Sequence, residues 1–250
     1  MERCQFDDTI YRMRFPFGHA RSAVYALRRL RDRFRPRVLG RPSRFREGEW
    51  VRVKSTDEIR ATLDGANALR GLLFLDSQWS YCARTYRVDR VLRRLRDDQR
   101  RFRPVSRTVA LDGVTCDGLD GTGGCGRSCS LYFRDEWLEP SSEEHHVPRT
   151  PERFARVRPW SEVVATLDRR GRRQGMSVMQ EMERFAGQRL PVLRRAGAEP
   201  GSLPFYARAG ADFYVLDGAR CSGAAFARAG PCDRHCPILW HRDWLAFEDG

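Results

Sequence analysis

From Glu49 the sequence EWVRVKS alternates polar and apolar positions, so Val51 and Val53 share one face, and the period of two predicts a strand. TDEIRATLD follows with about two helical turns and Thr56 as the expected cap. The stretch YCARTYRV mixes a turn with a strand, and RTVALDGV and LYFRDEWLE read as further strands. Short strands joined by glycine turns around one short helix predict a mainly β fold, a small β-barrel. Upstream, in HARSAVYALRRLRDRFRPRV, Ala23, Leu27, Leu30 and Phe34 recur at helical spacing beneath a face of arginines, which predicts a basic amphipathic helix.

The same pattern occurs twice. DEIRATLDGANALRGLLFLDSQWSYCARTYRV, from Asp57, aligns without a gap to SEVVATLDRRGRRQGMSVMQEMERFAGQRLPV, from Ser161, at a constant offset of 104 residues. Further on, LDGVTCDG from Leu111 aligns to LDGARCSG from Leu216. Cys116, Cys125, Cys129 and Trp137 then fall in step with Cys221, Cys232, Cys236 and Trp244. Two Cys-x-x-x-Cys pairs, each followed eight residues later by Trp, predict a tandem duplication. The expected organisation is a basic helical arm over 1–47, a first barrel over 48–139, a linker over 140–159 around EPSSEEHHVPRTPER, and a divergent second barrel over 160–245. In the second copy RVRPW stands where EGEWVRVKS is expected, so that barrel is expected to be incomplete or to borrow a strand.

The first copy, GEWVRVKSTDEIRATLDGANALRGLLFLDSQWSYCARTYRV followed by LDGVTCDG and GGCGRSCSLYFRDEWL, resembles a group of small uncharacterised bacterial proteins of about one such unit. The resemblance covers 48–139 well and 160–245 more loosely, and it omits the first 47 residues. It implies SH3-like barrels carrying a cysteine frame, and it implies no activity.

Composition narrows the classes. In 250 residues, 41% hydrophobic and 11% aromatic content argue against wholesale disorder, while 32% charged residues and a mean hydropathy of -0.62 exclude membrane and fibrous classes. No apolar run approaches the ~20 residues of a membrane span. Acids stand near the N-terminus where a signal peptide needs an apolar stretch, so a cytoplasmic location is expected. The net charge of +13 is carried almost wholly by arginine, since Lys54 is the one lysine, a skew that a GC-rich genome produces by itself. Position matters more than total. Residues 1–47 hold 13 Arg against 5 acids, and 92–107 hold 7 Arg against 2 Asp, which together equal the net charge. The arm therefore either packs on its own protein or meets a protein partner or anionic surface. The 92–107 segment reads as a basic hairpin loop, and together with the Arg-rich arm over 1–47 it keeps nucleic acid as a further, less favoured partner.

Repeated cysteines in a cytosolic chain point to metal or redox chemistry before structural disulfides. In the first copy Cys82, Cys116, Cys125 and Cys129 supply four thiolates, enough for a closed zinc site that adds folding free energy to a small domain. An iron-sulfur cluster, a disulfide and free thiols are the alternatives, and Arg84 and Arg127 are expected to offset the thiolate charge. The second copy has Ala186 where the first has Cys82. Its three thiolates, Cys221, Cys232 and Cys236, therefore need His235, His241, Cys4 or water as a fourth ligand. Such an open position is the basis for a metalloenzyme reading. His145 and His146 fall in the linker; Gly118 to Gly124 read as turns; Asp64 and Asp168 read as helix ends. Phosphate-loop, dinucleotide, metalloprotease and Gly-x-Ser-x-Gly motifs are absent. The expected function is a zinc-binding tandem-barrel accessory or interaction protein.

Overall fold

A computed structural model describes residues 38–96, 102–116, 129–142, 151, 153–196, 212–223 and 232–249. The first unit runs β1 (Trp50–Val53), α1 (Thr56–Arg60), a hairpin of β2 (Ala68–Leu69) and β3 (Leu72–Leu73), a 3-10 turn at Asp76–Tyr81, β4 (Thr85–Arg96), β5 (Phe102–Thr115), β6 (Ser130–Arg134), a second 3-10 turn at Asp135–Trp137, and β7 (Leu138–Pro140). The second unit repeats the order: β8 (Arg153–Val157), α2 (Trp160–Ala165), β9 (Arg172–Arg173), β10 (Met176–Ser177), a 3-10 turn at Gln180–Phe185, β11 (Arg189–Ala196), β12 (Phe213–Arg220), β13 (Pro237–His241), a 3-10 turn at Arg242–Trp244, and β14 (Leu245–Asp249). The five-stranded sheets have corresponding orders, β6-β5-β4-β1-β7 and β13-β12-β11-β8-β14, with every pair antiparallel. Each sheet is open between its outer strands. The protein is mainly β, with short helices.

Each unit has its own apolar core. Val51, Val53, Ile59, Phe133, Trp137 and Leu138 fill the first; Ala155, Val157, Val163, Ile238, Trp240 and Trp244 fill the second. Core volume is redistributed between them. Phe74 and Phe133 meet edge to face in the first, whereas the aligned positions hold Val178 and Trp240, a smaller residue opposite a larger one.

Several expectations change. The second unit has its opening strand: β8 pairs with both β11 and β14, and Ala155 and Val157 are buried as Val51 and Val53 are. The strand lies inside the expected linker because its inward pattern reads only as a small alanine and one valine among arginines. The cap of α1 is Ser55, one residue earlier than expected. Its Oγ accepts from Glu58 N–H at 3.4 Å, while Glu58 Oε2 accepts from Ser55 N–H at 2.9 Å, a reciprocal capping box. LYFRDEWLE is β6, a 3-10 turn and β7, not one strand, so Trp137 and Trp244 occupy turns before the last strands.

The expected basic loop is largely strand. Residues 92–96 end β4 and 102–107 begin β5, and Arg94 and Arg96 are buried. The helix expected upstream lies outside the described residues, but the last part of the expected arm belongs to the first unit. Gly40 N–H donates to Arg93 O, Arg107 N–H donates to Arg41 O, and Phe45 is 4% exposed in the first core. A Cβ at Gly40 would lie 1.8 Å from Val105 O, so only glycine lets this segment lie against β5.

Candidate metal centre

The LDG motif of each unit sets its cysteine in place. Gly113 and Gly218 adopt φ of 69° and 71°, and the strand register shifts between Ala110 and Thr115 and between Val215 and Arg220. These bulges carry each strand to a cysteine at its end. Cys116 N–H then donates to Cys129 O at 2.8 Å, and Cys221 N–H to Cys236 O at 2.9 Å. The two units thus hold a cysteine pair in the same backbone arrangement. Cys116, Cys221, Cys232 and Cys236 are buried, and Cys129 is half-buried.

In the second unit the geometry extends further. Gly223 N–H donates to Cys221 Sγ at 3.3 Å. Gly223 also has φ of 77°, and a Cβ there would lie 2.1 Å from Cys232 O. The glycine therefore brings the Cys221 turn against Cys232.

Cys82 packs against the same first core as Cys116 and Cys129. Its thiol faces Gln78 O at 3.9 Å and Thr56, beside α1, and burial pushes its pKa up against smaller lowering effects from Thr56 and Arg60. Among the described residues, no three His, Cys, Asp or Glu side chains converge on a metal-sized position. Cys125 and Cys4 lie outside the described residues. The aligned cysteines that are described are Cys116 and Cys129 in the first unit and Cys221, Cys232 and Cys236 in the second.

The fourth-ligand candidates also sort out. His241 is buried with both ring nitrogens engaged: Nδ1 accepts Asp243 N–H at 3.1 Å, and Nε2 lies 2.9 Å from Gln174 Oε1. Those contacts leave it no lone pair for a metal. His235 Nδ1 lies 2.9 Å from Asp89 Oδ2 of the first unit. Burial works to raise the Asp89 pKa, yet the hydrogen bond and charge of His235, aided by Arg220 and Arg90, hold it below the ordinary value. His145 and His146 lie outside the described residues. Asp64 and Asp168 do turn work: each Oδ1 accepts two backbone N–H groups, from Ala66 and Ala68 and from Arg170 and Arg172.

The arginine beside the thiols is Arg234, the middle residue of Cys232-Asp233-Arg234-His235-Cys236. Arg127 holds the same place in the first copy and lies outside the described residues, while Arg84 neighbours Tyr86. Burial disfavours the Arg234 charge, but Tyr132 and the thiols of Cys236, Cys129 and Cys232 more than offset it and raise its pKa. Burial in turn drives the Tyr132 phenol far above its ordinary range, so it stays a neutral donor, giving its hydrogen to Arg234 O at 3.0 Å. Thiols from both units therefore surround one buried guanidinium. That meeting was not legible beforehand, because nothing in the spacing says that the second Cys-x-x-x-Cys loop packs on the first unit.

Among the described residues no helix is long and apolar enough to cross a membrane. No family model, curated protein or solved structure matches the chain.

Proposed function

We propose that the protein is a zinc-binding accessory or interaction protein, built as a tandem duplication of an SH3-like barrel, with Cys116, Cys125 and Cys129 serving one metal and Cys221, Cys232 and Cys236 the other. The duplication is supported by the two sheets of corresponding strand order, and the SH3-like reading by the 3-10 turn that leads into a last strand beside the first. The observation that carries the metal reading is the paired placement of Cys116 on Cys129 and of Cys221 on Cys236, with the Gly223 amide donating to the Cys221 sulfur. Soft thiolates in buried, strand-end positions suit zinc, which supplies folding free energy by cross-linking short elements. A reducing cytoplasm is the compartment in which such thiols persist.

The experiment is metal content per chain, measured after expression with zinc and under reducing conditions, for wild type, Cys232→Ser and Cys82→Ala. Bound zinc lowered by Cys232→Ser and unchanged by Cys82→Ala supports the reading; a chain that takes up no metal overturns it. Visible absorbance in the purified protein replaces zinc with an iron-sulfur cluster. Arg94 and Arg96 face inward, with Arg94 stacked 3.9 Å from the Phe102 ring centroid, so the nucleic-acid alternative rests on the Arg-rich arm. The arm over residues 1–47 remains the proposed electrostatic contact to a protein partner or anionic surface, and a salt-dependent pull-down with and without residues 1–37, which leaves the segment packed on the first unit in place, tests that.

A further inference from the structure

In each unit the residue after the first strand meets the 3-10 turn before the last strand, and the corner is built the same way twice. Lys54 N–H donates to Trp137 O at 3.0 Å, and Arg158 N–H donates to Trp244 O at 2.9 Å. Lys54 follows β1 and its aligned residue, Arg158, follows β8. A cavity of about 520 Å³ opens at the first corner against Lys54, Arg107, Asp135 and Glu136, with Arg44 of the segment before β1 also in its lining. One of about 450 Å³ opens at the second against Arg153, Arg158, Arg242 and Asp243, beside Phe247.

The acids at these corners are already matched. Asp135 is buried, and its two carboxylate oxygens accept from the Ser43 hydroxyl and from Arg44 N–H. Glu136 Oε1 lies 2.7 Å from Arg70 Nη1, and Asp243 pairs with Arg173, so both are neutralised by arginines that line neither cavity. The cations are not matched in the same way. The Lys54 ammonium makes no hydrogen bond or ion pair among the described residues, and Arg107 reaches Glu136 only at 3.9 Å. Arg153 stacks 4.1 Å from the Phe247 ring centroid and has no ion pair or hydrogen bond among the described residues. Arg158 has an exposed pair with Glu162 at 3.2 Å, and Arg242 stands 3.6 Å from Asp212, contacts that solvent screens.

A second cation is kept at the corner although its source changes. Arg107 and Asp135 align with Asp212 and Arg242, so the two charges are exchanged between the strand and the 3-10 turn, and in both copies the arginine of the pair lines the cavity. Arg107 also holds φ of 50°, a left-handed conformation that glycine adopts more readily, so an arginine there points to a need for its side chain. Unspent ammonium and guanidinium donors around one space suit a dianion, and the guanidinium fork matches phosphate oxygens in particular. Both volumes fall in the range of roughly 300–1,000 Å³ found for small-molecule sites, which leaves room for a body attached to the phosphate.

We propose that each corner binds the phosphate group of a small phosphomonoester, held by Lys54 and Arg107 in the first unit and by Arg153, Arg158 and Arg242 in the second. Among the described residues no cysteine lines either cavity, so this site stands or falls separately from the metal reading.

The test uses the full chain under reducing conditions in phosphate-free buffer and follows the Glu136 and Asp243 amides by NMR while glycerol 3-phosphate is added. Saturable shifts at both corners are expected. Lys54→Gln is expected to weaken the first site and Arg158→Gln the second, each by at least roughly tenfold and each sparing the other site, because each removes one charged partner of the anion. Lys54→Arg, which keeps the charge, is expected to retain the first site. Arg169→Gln, at an exposed arginine outside both cavities, is expected to change neither. An equal loss in Arg169→Gln shows general attraction to a chain of net charge +13 and overturns the proposal, as do shifts that never saturate or that occur at one corner only. Acetate binding as tightly overturns the phosphate assignment, and inorganic phosphate binding as tightly as the ester overturns the phosphomonoester.

Discussion

The indole N–H of Trp137 donates to Thr62 Oγ1 at 2.9 Å, and the indole N–H of Trp244 donates to Thr166 Oγ1 at 2.8 Å. Both indoles are fully buried, and each threonine hydroxyl in turn donates to a carbonyl one turn back, Ile59 O or Val163 O. The short helix is thereby tied to the 3-10 turn before the last strand, through the threonine of the repeated Ala-Thr-Leu-Asp. Thr62→Val keeps the volume but strands the indole N–H, a loss of about 1–3 kcal/mol. Urea unfolding is expected to show that loss, and Thr166→Val a similar one.

Trp240 makes the contrasting case. It is fully buried in the second core, edge-on to Phe185 at 5.8 Å, and among the described residues its Nε1 has no hydrogen-bond partner. Trp240→Phe, which restores the residue found at Phe133, removes an unpaired polar group while opening a cavity, and the two effects oppose each other. Trp244→Phe opens a cavity and also breaks a satisfied hydrogen bond. The expected order, checked by parallel denaturant titrations, is a smaller loss for Trp240→Phe than for Trp244→Phe.

Gly40 tests whether the strap before β1 is part of the first unit. A methyl group there would collide with the Val105 backbone, which cannot swing aside as a side-chain tip would. Gly40→Ala is expected to lift the strap, unseat Phe45 from the first core and destabilise the fold by about 1–3 kcal/mol. Unchanged stability together with unchanged protection of the Arg107 amide, which bonds Arg41 O, would show that the strap contributes nothing.

Much of this architecture was legible in the chain because each repeated residue does the same local work twice. Asp64 and Asp168 organise matching turns, and the LDG glycines bulge matching strands. What escaped was set by contacts distant in sequence. The strand β8 was hidden because its inward residues, Ala155 and Val157, are small and flanked by arginines that read as linker. The arginines of 92–107 looked solvent-facing by composition, yet Arg94 and Arg96 are covered at the joint between units, where guanidinium groups stack on Phe102.

His241 sets a pH dependence whose sign follows from its surroundings. The ring is 3% exposed; Nδ1 accepts the Asp243 amide hydrogen, so Nε2 carries the proton and donates to Gln174 Oε1, which defines a neutral ring. Burial depresses its pKa most strongly; Asp243 and Asp212 oppose that and Arg173 assists it, leaving the folded value below the ordinary one. The unfolded chain, with a value of about 6.5, therefore binds this proton more readily than the folded chain does. The stabilisation is fully present above that pH and is lost as pH falls below it toward the folded value. Carboxylates held low, such as Asp89 and Asp168, titrate further down the scale and do not mask this window. Unfolding free energy measured from pH 7.5 to 5.5 is expected to decline in the wild type and to decline less in His241→Asn, which keeps an acceptor for the Asp243 amide but cannot be protonated. Equal slopes in the two proteins would mean that His241 does not titrate differently on folding.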